Sequence, residues 1–484
     1  MIYMVTVFER RAMWFESEFE IDMNWGKSRA YTVDYPTYNK LMNRANVVQE
    51  TDQKEEYSKD GKYLLVDSFC EIEEFDRVSE IASIIRPNIL VILSIICFVT
   101  DEPLTTFDFF SSFSNIVNNP GGVSLDHETK LTRDDNDNSS ALRELLEAMN
   151  RLSPDKQRLI FSLLDRWRKA SYLKVESEES FLYEDEAILA CFHILELLGE
   201  QYAINIKVDI DQKVRTFASE VLEDIFFIQN NQIHGDLVKL LHSTLDAYRT
   251  VKPNILRMMQ ELQLLQPKSK ALIERFLHHR NAIAHGRVNL YEDKVIYPLK
   301  PFFSHMKDIY EDIETVRIVS ARAIAAYLGT SLWETEWNDV IDSELPPYEQ
   351  VQAFNRNRIY QGLSWQELEE GQNDHINVAV LIHYYRKGTL KLHPFAQALG
   401  KYIREVQLSE NNAMLVLYVA TILADCTEQS IADSARNLLI KLKDSQFRER
   451  FDMRDVVKEL SYQGKEPLWL KQFLIERATR RKSK

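Results

Sequence analysis

At 484 residues the chain is long enough for about two to four hydrophobic cores, and its 45% hydrophobic and 27% charged side chains are the balance of a folded globular protein. Only 13 Gly and 13 Pro argue against collagen-like, sandwich-rich or disordered architectures and favour long helices. A net charge of −15, from 74 acidic against 59 basic residues, disfavours a protein that coats nucleic acid through a general basic surface. It leaves room for a small basic cleft holding one RNA strand.

Residues 1 to about 70 have strand character. Tyr3, Val5 and Val7 alternate with other residues, as do Phe15, Phe19, Ile21 and Met23, and Lys62–Cys70 is a further candidate strand. Glu50–Gly61 between them is a charged loop. From Glu73 to about Ser114 the pattern turns helical, with Ile81, Ile84 and Ile85 on one face. The most apolar run, Ile89–Val99, is about half the roughly 20 residues a bilayer needs, so it reads as a buried helix or strand. No secretory leader is expected at the N-terminus, and the reading is of a cytoplasmic protein without membrane association. Cys70, Cys97, Cys191 and Cys426 are widely spaced, with no CxxC pair, which suits single thiols in a reducing compartment. Cys97 and Cys191 sit in apolar runs and read as core residues.

Asn118–Gly122 is a turn cluster, and Thr132–Ser140 reads as a solvated linker. The linker resembles a calcium loop, but counting from Asp134 or Asp135 finds no Gly at position six and no Glu at position twelve. Beyond it the pattern is almost wholly helical. Ser153-Pro154 is a cap and first-turn proline opening a helix to about Tyr172. Asp185–Tyr202 follows, striped by Ile188, Phe192, Leu195 and Leu198, then Gln212–Ile228, Gly235–Thr250 and a short helix from Pro253. The run Glu176–Glu179 reads as a solvated loop or helix start. Lys268 to about His285 is another helix; a hairpin is expected over Val288–Tyr297, and a long helix from Phe302 to Leu328. From Trp333 onward, shorter helices are divided by Pro346-Pro347, Gly362, Gly371, Gly388 and Gly464, without a fixed repeat.

The run Arg280-Asn281-Ala282-Ile283-Ala284-His285 holds the residue types for metal-free RNA cleavage. A base must take the 2′-hydroxyl proton and a cation must hold the phosphorane charge. Histidine exchanges protons near neutral pH, and arginine presents a fork matched to phosphate oxygens. Asn281 adds an amide able to orient the phosphate or the imidazole. At about 100° per residue, Asn281 and His285 share a helix face while Arg280 lies roughly 140° from His285. Gly286 is a natural terminator, which places His285 in the last turn. The bland alternative is a hydrogen-bonded helix end. Glu196 is a candidate brace for this cluster or a plain surface carboxylate. Trp167 is a candidate base-stacking residue or a core tryptophan. The adjacent His278 and His279 point to different faces. Gly-rich phosphate loops, nucleophile elbows and HExxH or dinucleotide motifs do not occur.

Arg280–Gly286 resembles the Arg-polar-x-x-x-His signature of HEPN domains, in wording closest to the Apea-like HEPN group. Arg166–Ala170, Glu186–Ala190 and His193–Leu198 add to the resemblance, which spans about residues 153–328. Where some relatives carry Tyr two residues beyond the histidine, this chain has Arg287. The periodicity predicts a small α+β domain (1–140) first and a C-terminal helical domain (331–484) last; for the stretch between, in a mainly α protein, the resemblance implies a HEPN-type helical bundle (150–330). It implies a homodimer through the bundle and a composite site in which Arg280, Asn281 and His285 cut RNA, tRNA or other transcripts. No metal or cofactor takes part, and a 2′,3′-cyclic phosphate is left. Such proteins act as bacterial antiviral-defence, abortive-infection or toxin effectors, with a phage-derived or protein trigger. The alternatives are an inactive HEPN scaffold that binds a partner protein or RNA, and a helical RNA-binding adaptor using the basic tail Arg477–Lys484.

Overall fold

The computed structural model describes residues 4–15, 20–43, 61–73, 78–117, 137–180, 183–246, 250–284, 304–371, 376–446 and 451–482. The protein is mainly helical, with helix over 71% of the described residues, and has a small antiparallel sheet near its N-terminus. Its chain forms two compact units. One is built on residues 1–265, 273–287 and 308–340, the other on residues 266–272, 288–307 and 341–484.

The first unit begins with β1 (Met4–Phe15), β2 (Asp22–Trp25), β3 (Ser28–Asp34), α1 (Tyr35–Asn43), β4 (Lys62–Glu73), α2 (Val78–Thr100) and β5 (Phe109–Val117). The strand order is β2-β3-β4-β1-β5, all pairs antiparallel. Residues Tyr63 to Cys70 of β4 are buried without alternation, as a strand covered on both faces must be. Tyr63 and Leu65 pack with Ala12 against Tyr38 and Met42 of α1, while α2 lies along β4. Inside the sheet, Asp67 takes two 2.6 Å bonds from Arg10 and a third, at 3.0 Å, from the Tyr31 hydroxyl.

The helical pattern expected from Glu73 to Ser114 is corrected here. It holds through Thr100, but Asp101 takes a left-handed φ of 61°, Pro103 follows closely, and the chain returns as β5 beside β1. Phe, Ile and Val in β5 are strand formers that the helical reading overrode. Helix α2 is long and apolar enough to cross a membrane by length and composition, as is the segment Glu184–Ile225. In α2, Ile89, Ile92, Leu93, Ile95, Ile96, Cys97 and Phe98 are all buried in the protein. Burial pushes the Cys97 and Cys191 thiols up to about 12, so both are packing residues.

Next come α3 (Asp137–Asn150), α4 (Pro154–Ser180), α5 (Glu184–Ser219), α6 (Asn231–Asp246), α7 (Val251–Glu261), α8 (Pro267–Ala284) and α9 (Ser304–Leu328). Helix α4 starts at Pro154 as expected but runs past Tyr172, so Glu176–Glu179 are helical rather than a loop. Ser177 secures that end, donating to Leu173 O and accepting from Tyr183 N. Two expected helices, Asp185–Tyr202 and Gln212–Ile228, merge into the 36-residue α5 and a π-helical turn at Glu220–Ile225. Nothing between Tyr202 and Gln212 breaks a helix, because that stretch lacks Gly and Pro. Gly199 lies inside α5, where a Cβ would sit 3.1 Å from Ile255 N and 3.2 Å from Asn254 C. Glycine there lets α7 approach closely. The Val288–Tyr297 hairpin and the calcium-like segment at Asp134 lie outside the described residues.

Around Arg317 the bundle is fastened to the sheet-bearing segment. The Arg317 side chain is 4% exposed, bonded to Asp101 and Glu314, and lies over the rings of Trp167 and Trp333. Trp167 Nε1 donates to Arg317 O at 3.2 Å, and Trp333 Nε1 donates to Phe98 O at 3.1 Å. Trp167 is fully buried, so it is a core residue and not a base-stacking one. Burial works against the Arg317 charge, but the two carboxylates outweigh it and hold its pKa above the usual arginine range.

The second unit comprises the end of α10 (Glu334–Ser343), α11 (Tyr348–Arg356), α12 (Trp365–Glu370), α13 (Val378–Arg386), α14 (Leu392–Glu405), α15 (Ala413–Leu423), α16 (Gln429–Asp444), α17 (Met453–Tyr462) and α18 (Leu468–Lys482). Gly371, Gly388 and Gly464 end helices with positive φ, as the sequence spacing leads one to expect. Phe395, Leu399, Val416, Leu417, Ala420 and Leu439 form its centre. In the tail, Arg477 pairs with Asp444 at 3.1 Å.

Arg317→Met should lower unfolding free energy by about 3 kcal/mol in denaturant melts, because Asp101 and Glu314 lose their shared cation. A loss below about 1 kcal/mol would show that the ion cluster is not a fastening point. Buried Glu184, at the start of α5, is pushed up to about 7 by burial and by Asp185. A folded pKa above the ordinary 4.5 means stability present in acid and lost as pH rises from about 4.5 through about 7. Glu184→Gln should therefore raise the melting temperature at pH 8 and leave it unchanged at pH 4; equal shifts at both would exclude titration of this carboxyl.

Candidate active site

Helix α8 carries the Arg280-Asn281 end of the motif. Leu272, Ile273, Phe276 and His279 recur at helical spacing and are all buried, so this stripe is the inner face. Arg280 comes one residue later and emerges at the bundle surface, with its side chain 26% exposed. Asn281 is exposed. The described part of α8 ends at Ala284, and His285 lies outside the described residues.

Two carboxylates hold this stretch of α8 from different sides. Glu196 of α5 comes within 3.0 Å of Arg280 Nη2 through Oε1, an ion pair without hydrogen-bond alignment. The other oxygen of Glu196 is 3.8 Å from His193 Nε2. Arg280 Nη1 also donates to Asn281 Oδ1 at 3.2 Å. The brace reading of Glu196 is the one the geometry favours. On the second side, buried Asp312 of α9 lies 2.6 Å from His279 Nε2 and 2.9 Å from Arg275 Nη2. Because His279 and Arg280 are adjacent, about 100° apart around the helix, their two contacts fix its axial rotation.

The arrangement therefore brings Arg280 and Asn281 together with Glu196 and His193 on one surface. His278 and His279 diverge: one is exposed and the other buried, with ring centroids 6.1 Å apart. Chemically, a guanidinium held at the rim of a bundle, beside a neutral amide and an exposed imidazole, can take up a phosphate oxygen. Sequence reasoning missed Asp312, Arg275 and the role of His279. Arg275 and His279 are four apart, a visible helical pair, but no spacing rule links them to a carboxylate 33 residues beyond His279.

Asp312→Ala should cost about 2–4 kcal/mol in chemical unfolding, since Arg275 and buried His279 both lose their anion. Asp312→Glu should recover part of that loss, and equal losses for the two variants would argue against the ion pairs. The chain matches no family model, no curated protein and no solved structure.

Proposed function

We propose that the protein is a metal-independent HEPN endoribonuclease. In this reading His285 takes the proton from an RNA 2′-hydroxyl, the 2′-oxygen attacks phosphorus, and the P–O5′ bond breaks as the departing 5′-oxygen takes up a proton from the histidine or from water. The products are a 2′,3′-cyclic phosphate and a 5′-hydroxyl. Arg280 stabilises the charge on the phosphorane and Asn281 positions the scissile phosphate. Two protomers of a homodimer complete the site through their bundles. In the cell the protein is a cytoplasmic antiviral or growth-arrest effector, restrained until a phage-derived or protein trigger acts.

The single observation that carries this reading is the placement of Arg280: at the bundle rim, charge-paired to Glu196, next to exposed Asn281. The same Glu196 contact favours a second reading, an inactive scaffold. There the guanidinium is already neutralised within its own protomer and serves only to join α5 to α8. The two differ in what an RNA phosphate must do: in the nuclease it displaces Glu196 from Arg280.

Purified full-length protein is expected to nick RNA in the presence of a chelator, leaving cyclic phosphate ends. Arg280→Ala and His285→Ala should each reduce cleavage at least about 100-fold while melting temperature stays near wild type. Activity that survives both substitutions, or that needs an added metal ion, removes the nuclease reading. Wild-type protein that is inert under trigger-free and trigger-supplied conditions favours the scaffold.

A further inference from the structure

We infer that the hairpin formed by the distal half of α5 and by α6 is an interface for a second copy of this chain. Beyond Asp209, which Arg257 of α7 holds at 2.8 Å, α5 is accompanied by α6. Ser219 bonds His234 at 3.2 Å and His242 reaches Asp211 at 3.1 Å across the pair. Among the described residues its own core is three buried side chains, Val214, Ala218 and Val238, with Ile210, Leu237, Leu241 and Leu245 half-buried against them. Two helices with so small a core need another layer to bury their apolar surface.

That surface is concentrated here. Phe217, Ile225, Phe226, Phe227, Ile233 and Leu240 are all exposed, Phe227 at 85%. Phe227 also takes a φ of 54°, a left-handed conformation rare for a bulky residue, just after the π-helical turn. A standard interface takes roughly 800 Å² from each partner, which calls for several large apolar side chains such as these.

Charge placement selects the occupant. Lys213, Phe217 and Glu220 lie at spacings of four and three, on one face of α5. A two-fold axis through Phe217 with antiparallel helices stacks Phe217 on its own copy. It sets Lys213 opposite the partner's Glu220, and the reverse. The face is therefore self-complementary, as an isologous contact requires. The aromatic burial supplies affinity, and the charges fix the register. An anionic membrane is a poor fit, because Glu220, Glu223 and Asp224 surround the apolar tip. This contact is separate from the bundle face invoked for RNA cleavage and does not depend on that activity.

The test is the mass of the full-length protein by light scattering over a wide concentration range. Phe217→Asp should halve the mass of the wild-type assembly. Lys213→Glu should weaken association about tenfold, and Lys213→Glu combined with Glu220→Lys should restore it. Phe217→Cys should form a disulfide-linked pair on oxidation, since Cys70, Cys97, Cys191 and Cys426 are buried. The cysteine and charge-reversal variants decide the matter should Phe217→Asp fail to fold. A wild-type protein monomeric at every concentration, an unchanged mass in folded Phe217→Asp, or a monomer that floats with anionic vesicles through this hairpin would each overturn the inference.

Discussion

The first unit depends on one buried guanidinium. Arg317 of α9 meets Asp101, where α2 ends, and Glu314, while its planar face lies over Trp167 and Trp333. A charge this deep is tolerated only with its anions in place, and both are supplied by groups that burial and arginine together define. Glu314 is the clearer case. Burial alone would raise its carboxyl, but Arg317 and Lys174 bring it down to about 2. The same node joins a helix that covers the sheet to two helices of the bundle. Removing its cation therefore loosens three elements together.

The candidate site inherits its precision from that frame. Helix α9 is locked by Arg317 and by Ser320, whose hydroxyl donates to Cys191 O of α5 at 3.0 Å. Asp312 lies little more than one turn before Arg317 on the same helix, so its carboxylate is held where His279 and Arg275 can reach it. Glu196 is a short distance beyond Cys191 on α5. Thus the two carboxylates that orient α8 stand on helices that are themselves fixed to one another. This is how a rim arginine can be held in one place without being buried: Glu196 pairs with the arginine itself, and Asp312 anchors its buried neighbour His279.

The α5–α6 hairpin follows the opposite logic. Proximal α5 is surrounded by helices and buries Ile188, Phe192, Leu195 and Leu198, whereas its distal part has α6 as its described neighbour and leaves Phe217 and Ile225 in solvent. One continuous helix thus passes from a complete core to an incomplete one. An incomplete core with self-complementary charges is the signature of a surface that finishes itself in association.

Much of the helical architecture was legible in the sequence, because period, caps and glycine stops are local properties. Pro154, Gly371, Gly388 and Gly464 mark helix ends whatever lies around them. The stripe Ile188–Leu198 identified its own buried face for the same reason. The residues Arg280 and Asn281 could be singled out because their chemistry is written in their side chains. The sequence could not show that β5 turns back to β1, since strand pairing is a choice among distant partners and Phe109–Val117 is apolar enough for either state. Nor could it show that α5 runs on without a break, which hangs on the absence of a stop rather than the presence of one. Tertiary structure alone decided that Trp167 is core, that Glu196 meets Arg280 and that Asp312 meets His279. Ion pairs between helices depend on how those helices are rotated against each other. That rotation is set by the packing of the whole unit, through contacts no local stretch of sequence contains.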